Sequence, residues 1–390
     1  PGLSRPTMHT LTLDEVEDIS LRMLTASGAS ALQATPTARS IRDAEAQGIR
    51  TVGLSYLPTY CDHLACGKVS GRAVPTVTQP RPATVVVDAG LGFCHPAYEA
   101  GESPLVTAAR ANGVALLAIT HSYSAGVLGW FVERLAHQGL VAMMFANSSA
   151  LMAPHGGSRP FFGTNPIAWA APRAHGHPVV ADLSSSTVAW VKVNAAALAG
   201  EPIPLGWALD ADGHPTTDAT AALAGSMAPA AGHKGSALAL LVDVMAGGVA
   251  GSHFSFEAAG FGGNAGGPPD VGQVIIAIDP TATMGDGFVD RLETEFTTLA
   301  AEPGVRLPGD RRLQDRVHTA QHGVQVPPAL MAVLHDYAAH GSRAQASERP
   351  AVPPGETVPY DGTNHVTTNR VTTNDMTTND MTTNDGRGGG

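Results

Sequence analysis

Apolar positions recur along this chain with two different periods, and the switch between them sets out its architecture. Val16, Ile19, Met23 and Leu24 fall on one helix face, Thr12-Leu-Asp-Glu15 before them has the spacing of a capping box, and Gly28 stops the run. The pattern predicts a second helix from about Ala31 to Ala46, a third from about Leu54 to Cys66, and then a Pro-rich connection near Val74 to Pro82. Thr84 to Asp88 is β-branched and apolar until Gly90 and Gly92 break it, Val106 to Asn112 reads as helix, and Val114 to Thr120 is an apolar run of strand length. Strand, helix, strand is the order of an α/β sheet.

Further strand-like runs lie at Val141 to Ala146, Ile167 to Ala171 and Val179 to Asp182. Gly235 to Gly251 is Ala- and Leu-rich and long enough for a buried helix, whereas Val274 to Asp279 (VIIAID) is so apolar that a central strand is expected. Phe288 to Leu299 reads as an amphipathic helix and Pro328 to Tyr337 as a short final one. Past Ser342 the composition shifts to Pro, Gly, Thr and Asn and ends in the pentads VTTNR, VTTND, MTTND and MTTND. One apolar residue per pentad builds no core for a β-solenoid, so a disordered tail over 343–390 is expected.

Composition narrows the class. With 43% apolar and 15% charged residues over 390 positions, the chain suits a globular protein with one large core or two intertwined ones. It has no apolar run of membrane-spanning length, and its start lacks the basic and apolar segments of a secretion signal, so a cytoplasmic protein is expected. A net charge of −11 offers no footing for a nucleic-acid backbone. Cys61, Cys66 and Cys94 suggest neither a disulfide framework nor a zinc ribbon, and His175-Gly-His177 reads as a surface turn, so no metal is expected. Gly90-Leu-Gly92-Phe-Cys-His95 follows a strand but lacks the third glycine of the usual dinucleotide fingerprint.

Five longer motifs in order, GGSRPFFGTNPIAWAAP (Gly156 to Pro172), ADLSSSTVAWVK (Ala181 to Lys192), GEPIPLGWALDADGHPTTD (Gly200 to Asp218), GHKGSALALLVDVMAG (Gly232 to Gly247) and VRLPGD (Val305 to Asp310), carry a resemblance to the malate/L-lactate dehydrogenase family of the second type. The resemblance spans about Leu11 to Arg312. It implies an α/β fold with a non-Rossmann NAD(P)-binding sheet domain over 116–287 and a helical or mixed dimerisation and substrate domain from 8–115 with 288–342. It also implies a homodimer, a small-molecule substrate and NAD or NADP as cofactor. By the same resemblance the cofactor contacts Ser148, Asp182, Leu183, Ser184, Lys234, Gly235, Pro308, Gly309 and Asp310. The residues give that reading a rationale: Ser184 to Ser186 after a strand offers N–H groups and hydroxyls to a pyrophosphate, and Lys234 between glycines offers a charge where backbone can approach. A Ser-rich turn and a helix-start lysine are the plainer alternatives.

The family's catalytic segment, close to G-x-x-SHG-x-x-R-x-P-x-Y, is altered here. Gly48, Gly53, Pro58 and Tyr60 fix the register, so Thr51 stands for the serine, Val52 for the proton-exchanging histidine and Tyr56 for the carboxylate-gripping arginine. Ser124-Ala125-Gly126 occupies the turn that holds a second histidine in the ureidoglycolate branch. Valine moves no proton, and tyrosine lacks the charged fork of arginine. The expectation is a substrate whose carboxylate is missing, masked or held elsewhere. Arg50 could compensate but points to another face of a helix or turn.

His121, at the end of the strand Val114 to Thr120, is the first candidate for proton transfer, against the alternative of a polar turn residue. Tyr56 and Tyr123 are weaker because phenols are poor bases near neutrality. Thr51 and Ser124 occupy positions that the family uses, and Asp182 is the carboxylate to orient an acid or base or to anchor the cofactor. Three functions stay open: reduction of an imine, enamine or unusual carbonyl in a biosynthetic pathway; a non-redox isomerase, cyclase or lyase step on the same scaffold; and an inactive structural homologue. Ser122-Tyr-Ser124-Ala-Gly126 also has the setting of a nucleophile elbow but lacks its first glycine.

Overall fold

The computed structural model describes residues 8–344, so the pentads and nearly all of the expected tail lie outside the described residues. The described chain opens with β1 (His9–Leu11), α1 (Leu13–Ala26) and α2 (Ala31–Ala46); after one 3-10 turn at Arg50–Val52 comes α3 (Leu57–Cys66). Thr12 caps α1 as its spacing predicts: its hydroxyl accepts the Glu15 N–H at 3.2 Å and the Glu15 carboxylate accepts the Thr12 N–H at 2.7 Å. Pro58 sits in the first turn of α3, where a missing N–H does no harm.

Next come β2 (Thr76–Arg81), β3 (Thr84–Asp88), α4 (Cys94–Asn112), β4 (Val114–Ser122), α5 (Gly129–Ala136), β5 (Val141–Ala146), β6 (Ile167–Ala171) and β7 (Val179–Leu183). A smaller unit contains α6 (Trp190–Ala199), β8 (Ala208–Leu209), β9 (Pro215–Thr216), α7 (Ala219–Ala224) and β10 (Ser226–Met227). Then α8 (His233–Asp243) runs into a π-helical turn at Val244–Val249. The rest is β11 (Val271–Ile278), α9 (Thr281–Met284), α10 (Phe288–Ala300), α11 (Asp310–His322), β12 (Val324–Val326) and α12 (Pro328–His340).

Seven strands form the main sheet in the order β2-β3-β4-β11-β5-β6-β7. Only β3 and β4 pair in parallel. The VIIAID run lies in β11, the middle strand, as its composition suggested. Against one face of the sheet α4 and α5 bury Tyr98, Leu105, Phe131 and Leu135 with Leu117, Met144 and Ile275. A second core joins the chain ends: β1 pairs with β12, and Val16, Met23, Leu57 and Tyr60 pack with Met331 and Leu334.

Three expectations need correction. Val74 to Pro82 contains a strand, β2, which is exposed throughout and lies at the sheet edge; Pro80 falls where the register shifts between Thr78 and Arg81, so the ladder needs no donor there. Helix α4 begins twelve residues before Val106, at Cys94. Pro96, Gly101 and Pro104 hid its period, and Gly101 is there because a Cβ would lie 2.8 Å from Leu117 and 2.9 Å from Val87 on the sheet beneath. The boundary expected between 115 and 116 is no seam in the sheet, since β3 on one side pairs with β4 on the other. Among the described residues no helix is long and apolar enough to cross a membrane.

Candidate active site

Because β3, β4, β5 and β7 run one way and β11 and β6 the other, the ends of the first four and the starts of the last two share one end of the sheet. Asp88, His121 to Ser124, Asn147, Ser148, Asn165, Ser184 and Gln273 collect there, outside the carboxyl ends of the co-directed strands. Leu91, His121, Asn165 and Asp270, four of the five non-glycine residues with positive φ among the described residues, sit in these connections. The fifth, Ala231, lies just before α8. Each such conformation costs of order 1–3 kcal/mol and persists only where its surroundings enforce it.

Four of the expected cofactor residues meet at this end. The Ala230 N–H donates to Ser185 O at 2.9 Å and Ser186 bridges Pro229, which lays the start of α8 on the turn after β7. Gly235 permits this contact: a Cβ would lie 2.3 Å from Ala230 O and 2.9 Å from Ser185 O. Lys234 is exposed in the first turn of α8, beside exposed Leu183 and Ser184. Ser148 is partly exposed after β5, pressed against Gly163, where a Cβ would come within 2.3 Å of its hydroxyl.

The serine turn is more self-contained than its sequence suggested. The Ser185 N–H donates to Thr164 O, its hydroxyl donates to Asn165 O at 2.6 Å, the Ser186 N–H donates to the Ser184 hydroxyl, and the Ser186 hydroxyl donates to Val188 O. The Ser184 hydroxyl belongs to the same network, 3.2 Å from Thr164 O and 2.5 Å from the Ser186 hydroxyl, and Ser184 stays exposed with Leu183 and Lys234. This exposed cation, hydroxyl and apolar side chain suit a phosphate-bearing nicotinamide cofactor.

Pro308, Gly309 and Asp310 lie elsewhere. Gly309 packs on Val180, and the Asp310 carboxylate accepts the Leu307 N–H at 2.9 Å. Val180 is four residues before Ser184, about 13 Å along an extended strand, so this chain does not bring the loop to the serine turn. Asp182 accepts from the Gly129 N–H at 3.0 Å and from Arg312 at 3.3 Å. It ties β7 to α5 and α11, and no hydrogen bond among the described residues joins it to His121, Tyr56 or Ser124. Arg312 was invisible as a site residue in sequence, because its partner lies 130 positions away.

The altered catalytic segment is held from below. Glu45 is buried, its carboxylate accepts the Leu54 N–H at 2.7 Å, and burial raises its pKa. Gly53 is needed here, since a Cβ would lie 2.2 Å from that carboxylate. The segment thus presents exposed Thr51, half-buried Val52 and half-buried Tyr56.

Tyr56 stands edge-on to Tyr60, with ring centroids 4.9 Å apart, and the rings of Tyr60, Phe93, Tyr123 and Phe261 continue the cluster. Burial pushes the Tyr56 phenol up to about 12 and raises Tyr60 and Tyr123 as well. All three stay protonated at neutral pH and cannot serve as bases. Ser124 hydrogen-bonds Tyr60. Behind the cluster, Tyr123 pairs with His63 Nδ1, His63 Nε2 meets Gly263 O at 3.2 Å, and Lys68 donates to the carbonyls of Gly260, Gly263 and Ala265. His63 and Lys68 were not singled out in the sequence; they lie on and just after α3, and their partners are 60 to 200 positions away.

His121 faces away from this cluster as far as its contacts show. Its Nδ1 lies 3.2 Å from the Asp88 carboxylate and its N–H donates to Ser252. His177, read as part of a surface turn, is exposed but has neighbours: its ring, the His137 ring and the Glu133 carboxylate place ligand atoms within 4.8 Å of one another. Arg316 already engages both Glu133 oxygens, at 2.6 and 2.5 Å.

Fold and site together define a member of a dehydrogenase family: the chain belongs to the malate/L-lactate dehydrogenase family, whose model matches residues 11–335. It is 44% identical over 328 residues to (2R)-3-sulfolactate dehydrogenase (NADP(+)) of Chromohalobacter salexigens, covering 84% of this chain and 98% of that protein. It is 40% identical to a Δ1-pyrroline-2-carboxylate/Δ1-piperideine-2-carboxylate reductase of Pseudomonas syringae pv. tomato, covering 85% of this chain and 97% of that one. The crystal structure of Δ1-piperideine-2-carboxylate reductase from the same organism superposes with a TM-score of 0.81 at 39% identity, covering 84% of this chain and 99% of that one.

Proposed function

We propose that this chain is an NAD(P)H-dependent reductase of a small substrate with a C=N bond or an unusual carbonyl, acting as a homodimer in the cytoplasm. What supports the reading is that the turns carrying Ser148, Ser184, Lys234 and Gly235 lie at the sheet end that also holds Tyr123 and its aromatic cluster, while Val52 stands where the sequence register puts the family's proton-exchanging group. Two of the relatives' names describe reduction of a cyclic imine, whose nitrogen can arrive protonated, and a third describes an NADP-linked hydroxy-acid reaction. That is support for redox use of the scaffold over an isomerase, a lyase or an inactive homologue.

When bound, the nicotinamide supplies a hydride. The chain's own residues do the rest: Lys234 offers charge to a phosphate, Ser184 and Ser148 offer hydroxyls, and the aromatic cluster under Tyr56 excludes water beside the substrate. Leu238, Leu241, Val244 and Val249 on α8 and its π-helical turn are exposed apolar side chains, a face that suits burial against a second copy. The test is nicotinamide absorbance in mixtures of the full chain, NADH or NADPH, and the cyclic imines Δ1-piperideine and Δ1-pyrroline, their 2-carboxylates, or sulfopyruvate. Consumption with the imines supports the reading, and none with any substrate overturns it. Light scattering of the wild type and Leu241→Glu tests the dimer.

A further inference from the structure

The hydrogen bonds behind Tyr56 fix the direction in which it can bond a ligand. Gly263 O can only accept, so the nitrogen facing it at 3.2 Å, His63 Nε2, carries the hydrogen. His63 is neutral, because burial and then the charge of Lys68 push its pKa down to about 4. Its Nδ1 therefore has only a lone pair, and the Tyr123 hydroxyl donates to it. The Tyr56 hydroxyl donates to Phe261 O at 3.5 Å, and Tyr123, its own hydrogen committed to His63, offers it no donor.

The Tyr56 hydrogen therefore points inward, and Lys68 holds the loop carrying Phe261 in place through Gly260, Gly263 and Ala265. What Tyr56 has left for a ligand is a lone pair. An arginine there offers only donors; this tyrosine offers an acceptor.

We infer that Tyr56 inverts the polarity of its subsite, so that the site selects a ligand with a hydrogen-bond donor there, a protonated ring nitrogen, in place of a carboxylate. The inference rests on the reductase reading and names its substrate class: a cyclic iminium without a carboxylate at this subsite. A ligand already protonated on nitrogen needs no acid at Val52.

The test is calorimetry on the full chain with NADP(+) present and absent, using two probes: pyrrolidinium, a ring cation without carboxylate, and pyruvate, a carboxylate without a donor. The expected result is tighter binding of pyrrolidinium by the wild type and a loss on the order of ten-fold or more in Tyr56→Phe, the range for a hydrogen bond to a charged group. Tyr56→Arg should reverse the preference.

Equal or preferred binding of pyruvate by the wild type, binding of neither probe, or an unchanged Tyr56→Phe overturns the inference. Tyr56-dependent pyrrolidinium binding without NAD(P)H consumption on any imine defeats the reductase reading and leaves the inference standing. Imine turnover indifferent to Tyr56→Phe does the reverse.

Discussion

The two ends of the seven-stranded sheet are built from the same strands by different means. At the end away from the site, the connections reach positive φ at glycines, Gly113 before β4, Gly139 before β5 and Gly176 between β6 and β7, where such backbone costs little. At the site end glycines such as Gly90, Gly126 and Gly266 reach the same region of φ, but so do Leu91, His121, Asn165 and Asp270, where it is costly. Gly163 and Gly235 lack a side chain because polar atoms come within 2.3 Å of where a Cβ would be. One end closes turns at low strain, and the other accepts strain to hold polar groups in place.

Histidine titration should separate the two ends most strongly. His63 and His95 belong to the site end, and burial pushes them down to about 4 and about 3. Their folded pKa values lie below the unfolded value of 6.5, so their contribution to stability is complete above pH 6.5 and is lost as pH falls toward the folded values. Between pH 6.5 and 4.5 each should remove about 2 to 3 kcal/mol of unfolding free energy. Denaturant unfolding at the two pH values checks this, and His95→Phe should shallow the slope.

Next in size is Gly235→Ala. Its Cβ meets backbone atoms that cannot move cheaply, so a loss of about 1 to 3 kcal/mol is expected, with NADPH binding abolished. Melting and nicotinamide fluorescence read the two effects. Lys234→Ala should weaken NADPH on the order of ten-fold with melting unchanged, the result for an exposed charge that meets ligand and not protein.

Smaller still is Glu45→Gln. The folded carboxyl titrates above its unfolded value, so the stability it contributes is present below the unfolded pKa and lost as pH rises through the folded one. The amide keeps an acceptor for Leu54 and escapes that loss, so a slight gain at pH 7 and none at pH 4 is expected in thermal melts. Smallest is His121→Asn, within about 0.5 kcal/mol, because asparagine tolerates positive φ and the exposed pair with Asp88 is weak. A collapse of turnover in this variant would restore His121 as the proton donor.

The sequence carried the fold well where one period dominated. The capping box at Thr12, the helix Ala31–Ala46 and the central strand all appear as their patterns imply. It failed where packing overrides local preference: Pro80 in β2, and Pro96 and Gly101 in α4, read as breakers although a sheet edge and a close helix–sheet approach accommodate them. Helix α11 was missed because its first residues had been assigned to a cofactor loop.

The site divides in the same way. Ser148, Ser184, Lys234 and Gly235 stand in contiguous motifs whose turns lie at one sheet end, and Pro308 to Asp310 pack on Val180 of the strand that leads to Ser184. The bonds that give Tyr56 its direction come from His63, Lys68, Tyr123 and Gly263, residues joined by long-range contacts that no local spacing announces.

The most direct test of the central claim is fluorescence titration of the full chain with NADH and with NADPH, beside Lys234→Ala. The reductase account predicts saturable binding of at least one cofactor, on the order of ten-fold weaker in the variant. No binding of either, or binding indifferent to Lys234, contradicts it.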